Sequence, residues 1–195
     1  MKEGFVEEIE IKEIKPCWTA PGRIFVEAKA KLEGENPLSD LIPILFLKYP
    51  LRVAVFNDQK NTLSLRMHDR GIGIFPSGTI TMQNTKDEGK ARQILEEIRG
   101  ILNEAHTYLI EKGRPSEDVV RKRIDISKLS TSSIVKYLPN VTHCRKCGLP
   151  TCKAFVFKLL RGKKDLKDCV VLKEKEYGSN RKNLGTILEE LKVYE

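Results

Sequence analysis

Apolar residues never run long in this chain. The longest stretch, Leu41 to Leu47, is interrupted by Pro43 and falls well short of the roughly 20 residues that a membrane-crossing helix needs. No membrane insertion is expected. The opening Met1-Lys2-Glu3-Gly4 places acid where a secretory signal needs a basic start and an apolar run, so the expected compartment is the reducing cytoplasm. No Ser-His-Asp set, glycine-rich phosphate loop or paired carboxylates stand out, which leaves an independent catalytic activity without residues to carry it. Cysteine is scarce too, at five in 195 residues. Four of the five fall within 26 positions, Cys144 to Cys169, and in a reducing compartment such crowding favours metal ligation over disulfides.

Charge is unevenly spread. The net charge is +8, yet residues 1–112 hold 16 Lys and Arg against 17 Asp and Glu, whereas 113–195 hold 19 against 10. The basic surplus belongs to the cysteine-bearing part, which points to two modules with different partners.

From Gly22 to Leu32, Ile24, Val26, Ala28, Ala30 and Leu32 alternate with polar or exposed-type positions, the period of a strand with one buried face. Asn36-Pro37 then suits a helix start, followed by Leu38, Leu41, Ile42 and Leu45, with Pro43 expected to kink or shorten the helix. Strands are expected at Arg52–Asn57, Thr62–His68, Gly71–Phe75 and, after the turn Pro76-Ser77-Gly78, at Thr79–Gln83. This is an antiparallel meander. Thr85-Lys86-Asp87-Glu88 reads as a capping box opening an amphipathic helix through Ala91, Ile94, Leu95, Ile98, Ile101, Leu102, Ala105, Tyr108 and Leu109. Gly113-Arg114-Pro115-Ser116 ends it. The expected organisation is α+β: residues 1–112 an antiparallel sheet with helices on one face, 113–128 a charged linker, and 129–195 a small, mainly helical four-cysteine domain.

The order of elements over residues 20–110, with Gly73-Ile74-Phe75-Pro76-Ser77-Gly78 and Thr85-Lys86-Asp87-Glu88, resembles one repeat of the TATA-binding protein fold. That family pairs two repeats into a saddle and kinks DNA with phenylalanines, one of which would fall at Phe75. The open sheet face would carry Glu27, Lys29, Lys31, Ser64, Arg66, His68, Thr79, Thr81 and Gln83. A face of mixed charge on a module without net positive charge lacks the phosphate-neutralising contribution to DNA affinity. The fold is therefore expected without the function, and a homodimer through this module is an open option.

The cysteines are spaced Cys144-x2-Cys147-x4-Cys152-x16-Cys169. Four thiolates hold the four corners of a four-iron cube, and a Cys-x2-Cys loop with Gly148 behind it lets the backbone approach inorganic sulfide. A helix is expected to start after Pro150-Thr151, with Phe155, Val156, Leu159 and Leu160 as its stripe and Gly162 as its end. Its N-terminus would set amide N–H groups beside Cys152. Zinc is the alternative for four cysteines, although zinc ribbons pair two short knuckles and here there is one. Cys17 beside Trp18 reads as a partly buried structural pair, His143 as a neighbour of the cluster and not a ligand, and His68 and His106 as rim residues.

Tyr137-Leu138-Pro139, then Cys144-Arg145-Lys146-Cys147-Gly148-Leu149-Pro150-Thr151-Cys152-Lys153-Ala154-Phe155, with Leu159, Gly162, Leu166 and Cys169, resemble the cluster domain of the large subunit of corrinoid iron-sulfur proteins in the carbon monoxide dehydrogenase/acetyl-CoA synthase system. A shorter form occurs in B subunits of Rnf-type complexes. The resemblance, over about residues 130–175, implies a [4Fe-4S] cluster on Cys144, Cys147, Cys152 and Cys169 that passes electrons. Val170 departs from the family's usual proline, and His143 from its small polar residue. No corrinoid-binding domain fits in the rest of the chain.

Two functions compete. One is electron transfer to, or reductive activation of, a redox partner protein, a corrinoid or other low-potential metalloenzyme. The other is nucleic-acid binding or regulation around a structural or redox-sensing cluster. The basic residues Arg121, Lys122, Arg123, Arg145, Lys146, Lys153, Lys158, Arg161, Lys163, Lys164 and Lys167 could serve either. Aromatics, only 7% of the chain, scarcely interleave with them for base stacking, which favours a docking ring for an acidic protein.

Overall fold

The structure, a computed structural model, describes residues 5–32, 34–51, 53–128, 131–139 and 144–189. It divides into two compact units, one of residues 1–46 and 53–115, the other of 47–52 and 116–195.

The first unit is a six-stranded antiparallel sheet with helices. Its strands are β1 (Ile9–Pro16), β2 (Ile24–Ala30), β3 (Ala54–Asn57), β4 (Thr62–Met67), β5 (Arg70–Ile74) and β6 (Thr79–Thr85), in spatial order β1-β2-β6-β5-β4-β3. Register aligns the apolar residues in rows across the sheet. Val26 faces Met82, Met82 faces Ile72, Ile72 faces Leu65 and Leu65 faces Ala54; a second row joins Ala28, Ile80, Ile74 and Leu63. All nine are buried. A one-residue slip would turn either row to the opposite face.

Helix α1 (Leu41–Lys48) follows β2, and the long α2 (Glu88–Lys112) follows β6 and packs against β1 and β6. The buried residues of α2 are Ala91, Ile94, Leu95, Ile98, Leu102 and Ala105, six of the nine in the expected stripe; Ile101, Tyr108 and Leu109 are half-buried. Asn103 secures the start of the chain to α2: its side-chain oxygen accepts from Val6 N–H at 2.7 Å and its amide donates to Val6 O at 3.1 Å.

Several local expectations change. Because α1 begins at Leu41, Pro43 falls in its first turn, where an N–H has no intrahelical acceptor to lose, and no kink is required. The N-cap of α2 is Asp87, whose carboxylate accepts from Lys90 N–H at 2.8 Å. Thr85 instead completes β6, paired with Ile24. His68 is not on the open face. With Asp69 it forms the two-residue hairpin between β4 and β5, both at positive φ, and its Nε2 lies 2.7 Å from Glu97 of α2. Phe75 is half-buried with its ring against Gly73, where an added Cβ would sit 3.1 Å from the ring and 2.6 Å from Thr81 Oγ1.

The second unit is mainly helical: α3 (Glu117–Lys128), α4 (Thr131–Val135), α5 (Cys152–Leu159), three single turns of 3-10 helix at Leu166–Asp168, Val170–Lys173 and Lys175–Tyr177, and α6 (Gly178–Glu189). The stretch 113–128, charged enough to read as linker, is thus mostly helix. The short segment 47–52 also belongs to this unit. Leu51 is buried in its core with Ile126, Ile134, Leu138, Phe155, Val156, Leu159, Leu160, Leu172 and Leu184. Arg123 is a second surprise. It is 3% exposed, donates to Tyr49 O at 2.5 Å, and is therefore no part of a surface ring. Burial pushes its pKa down to about 10, which leaves it cationic at neutral pH.

Candidate metal centre

The four clustered cysteines approach the site from three local structures. Cys144 and Cys147 flank a tight turn in which Gly148 N–H donates to Arg145 O at 2.9 Å. Arg145 and Gly148 both take positive φ, 46° and 75°, and this reversal carries the chain from one cysteine to the next. Glycine meets the second requirement without strain.

Cys152 is the first residue of α5. Thr151 is the N-cap: its backbone is extended and its hydroxyl accepts from Ala154 N–H at 3.1 Å. The helix start expected from Pro150-Thr151 is where the structure has it. Phe155, Val156 and Leu159 lie three, four and seven residues after Cys152, on its own face of the helix, and are buried, so the packing of this face seats Cys152 at the edge of the core. The helix ends with Gly162 at φ 67°, and Lys163 N–H reaches back to Lys158 O at 2.9 Å.

Cys169 sits between two 3-10 turns. Asp165 caps the first, accepting from Lys167 N–H at 3.1 Å, while its own N–H donates to Asp168 Oδ2 at 2.9 Å. Cys169 N–H donates to Leu166 O at 3.0 Å, and its carbonyl accepts from Leu172 N–H at 3.1 Å. Val171 and Leu172, both buried, hold this return segment to the core.

All four side chains line one cavity of about 200 Å³, together with Leu138, Arg145, Leu149, Pro150, Thr151, Phe155 and Val170. Cys147, Cys152 and Cys169 also pack on the rim of the hydrophobic core. Among the described residues no group of three His, Cys, Asp or Glu side chains is set to hold a metal ion; what unites the four cysteines is their shared cavity lining. Burial pushes the Cys152 thiol up, and the neighbouring Cys169, Cys144 and Cys147 add to it by like-charge repulsion. Cys169 is raised by burial as well, against the pull of Leu172 N–H, with Cys147 and Cys144 again opposing its charge. Four thiolates in this space need a cationic group among them.

Residues 138–171 match the family model described as "Putative Fe-S cluster". The match begins at Leu138 in the cavity wall and ends just past Cys169, so it takes in all four cysteines. A curated relative, the acetyl-CoA decarbonylase/synthase complex subunit gamma of Methanocaldococcus jannaschii, is 39% identical over 57 residues, which are 29% of this chain and 12% of that protein. The likeness covers the same C-terminal region, and the resemblance drawn from the cysteine motif stands. The chain thus spans about an eighth of the relative's length. No solved structure matches.

The remaining expected site residues fall elsewhere. Cys17 lies in the first unit, buried in the loop between β1 and β2, with Sγ 3.3 Å from Thr19 Oγ1. The Thr19 hydroxyl and the Asn84 backbone pull its pKa down. It does not form a buried pair with Trp18, which is 82% exposed. His106 stacks on Phe5 at 4.0 Å. His143 lies outside the described residues. Sequence reasoning missed Leu51, whose only signal was an isolated leucine after Tyr49-Pro50. No helix among the described residues is long and apolar enough to cross a membrane.

Proposed function

We propose that Cys144, Cys147, Cys152 and Cys169 hold one [4Fe-4S] cluster, and that the protein is a cytoplasmic electron carrier serving a partner metalloenzyme of the kind its relative's complex suggests. The observation that carries this reading is that all four cysteines line one cavity of about 200 Å³ within the residues matched by the iron-sulfur family model. The spacing supports a cluster over zinc, whose ribbons pair two short knuckles where this chain has one. When bound, the cluster supplies reversible one-electron chemistry.

The chain's own residues do the rest. The turn at Arg145–Gly148 orients two thiolates, the Thr151 cap sets the third at the positive end of α5, and the capped 3-10 turn returns the fourth. Leu138, Leu149 and Phe155 supply an apolar lining that limits water. For the first unit we propose likeness to a single TATA-binding-protein repeat, supported by a helix after β2, a meander of four strands and a long helix after β6. DNA binding does not follow from it, because Phe75 packs on its own sheet and Glu27 and Lys29 mix charge on the same face.

Anaerobic purification tests the reading. The protein should carry about four iron and four sulfide per chain, with visible absorption that bleaches on one-electron reduction. Cys152→Ala should lose most of the iron while Cys17→Ala retains it. Stoichiometric zinc without sulfide in material prepared this way would refute the assignment.

A further inference from the structure

The cavity wall is not closed by apolar residues alone. Arg145, Pro150 and Val170 line it and are exposed, Val170 by 45%. A valine left in water immediately after a candidate ligand, while the next two residues, Val171 and Leu172, are buried, marks an apolar spot on the lip of the site. Every one of the four cysteines has an exposed cation within two residues: Arg145 follows Cys144, Lys146 precedes Cys147, Lys153 follows Cys152, and Lys167 lies two before Cys169. The nearby acids are engaged in part, Glu174 with Lys146 at 3.4 Å and Asp168 with Lys164 at 3.9 Å. Other basic residues named from the sequence, Lys158 and Lys163, lie at the far end of α5. Cys152 and Lys158 are separated by about 9 Å along the axis at 1.5 Å per residue.

We infer that this lip, an apolar centre of Pro150 and Val170 ringed by Arg145, Lys146, Lys153 and Lys167, is the docking surface for an acidic one-electron redox protein. The inference rests on the proposed cluster and goes beyond it by naming the face and the charge of the partner. Charge complementarity decides the occupant: a cationic rim around a small apolar centre steers and orients an anionic protein. It also puts the partner against the exposed residues of the cavity wall, Arg145, Pro150 and Val170. In such a complex one electron leaves the partner's reduced low-potential centre, which is oxidised by one, and the cluster is reduced by one; no atom is transferred.

The test uses the cluster-loaded full chain, with an acidic plant-type [2Fe-2S] ferredoxin as probe. Affinity is followed by calorimetry and one-electron transfer by stopped flow. Wild type should bind with affinity that falls steeply between low and high salt. Arg145→Glu/Lys153→Glu should weaken binding by about tenfold or more at low salt and flatten the salt dependence. Val170→Ser should weaken binding by about threefold and leave the salt slope unchanged. Lys158→Glu/Lys163→Glu carries the same change in net charge away from the lip and, compared at about 0.15 M salt where the Debye length is about 8 Å, should weaken binding several-fold less than the lip variant.

An equal loss in this control, or no salt-sensitive binding by wild type, would overturn the inference. So would binding of duplex DNA in place of the ferredoxin. Iron and sulfide content and dithionite reduction are measured on every variant. A missing cluster in wild type refutes the proposed function; an intact, reducible cluster whose ferredoxin affinity ignores the lip variants refutes the docking surface alone.

Discussion

Gly162→Ala probes how the fold holds α5, and with it Cys152. Gly162 has φ 67°, and an added Cβ would lie 3.0 Å from Pro50 Cγ and 3.4 Å from Pro50 Cβ. The left-handed backbone costs a non-glycine residue roughly 1–2 kcal/mol, part of which the stiffer unfolded chain offsets in reverse, since alanine lowers unfolded-state entropy by the equivalent of about 0.4–1 kcal/mol. The contact with Pro50 adds about 1–2 kcal/mol, in the lower range for overpacking: Pro50 is exposed, but its ring is stiff and the next residue, Leu51, is buried, so the backbone cannot swing the ring away freely. The sum is about 2–3 kcal/mol. Amide exchange on the intact protein, followed by mass spectrometry over residues 152–160, should then accelerate by roughly 30- to 150-fold if α5 exchanges through opening of its unit. Gly113→Ala is the comparison. Its φ is 77° but nothing lies within 4 Å of the added Cβ, so the amides of α2 should lose only about fivefold, the backbone cost of roughly 1 kcal/mol. Equal effects at the two glycines, or unchanged protection of α5, would refute the packing of Pro50 against Gly162.

Two further outcomes are expected. The apoprotein should lose stability as pH rises past the ordinary thiol range, about 8.5: Cys152 and Cys169 have raised pKa values in the native state, so the unfolded chain gives up protons first and is favoured with increasing pH. Thermal melts of the apoprotein across this window should show the decline, and the cluster-loaded protein should not, since its thiolates are already ionised. We also propose that the two units are linked at 113–116 and through the segment 47–52, which the second unit takes from the first part of the chain. Limited proteolysis should cut within Gly113-Arg114-Pro115-Ser116 and spare α3, yet the fragments should co-elute until urea is added, because Leu51 remains in the second unit's core and Tyr49 O still accepts from Arg123.

Much of this protein is written in short-range pattern. Alternation along β2, β4 and β6 marks the buried face because strand side chains repeat every two residues, and the stripe of α2 is legible for the corresponding reason at 3.6. The cysteine spacing, with Thr151 before Cys152 and Gly162 beyond Leu160, identifies the site and the helix that presents it, since turns, caps and ligand loops are set by residues a few positions apart. Other features depend on segments that meet across long separations. Arg123 and Tyr49 are 74 positions apart, and nothing local to Arg121-Lys122-Arg123 distinguishes the one cation that is buried. Leu51 has no periodic neighbours, so its place among Phe155 and Leu159 is decided by packing alone. His68 reads as a face residue until the hairpin at His68-Asp69 and Glu97 on α2 give it another partner. Trp18, the chain's one tryptophan, would be assigned to a core by composition, but the loop between β1 and β2 buries Cys17 instead. The sequence by itself determined five of the six strands, where α5 begins and which thiols are candidates to cluster; β1 (Ile9–Pro16), mostly exposed, carries no clear alternation. Only the tertiary structure decided which charges are buried, which segment completes the second core, and that the four cysteines line one cavity, because those depend on distances between elements that no local pattern encodes.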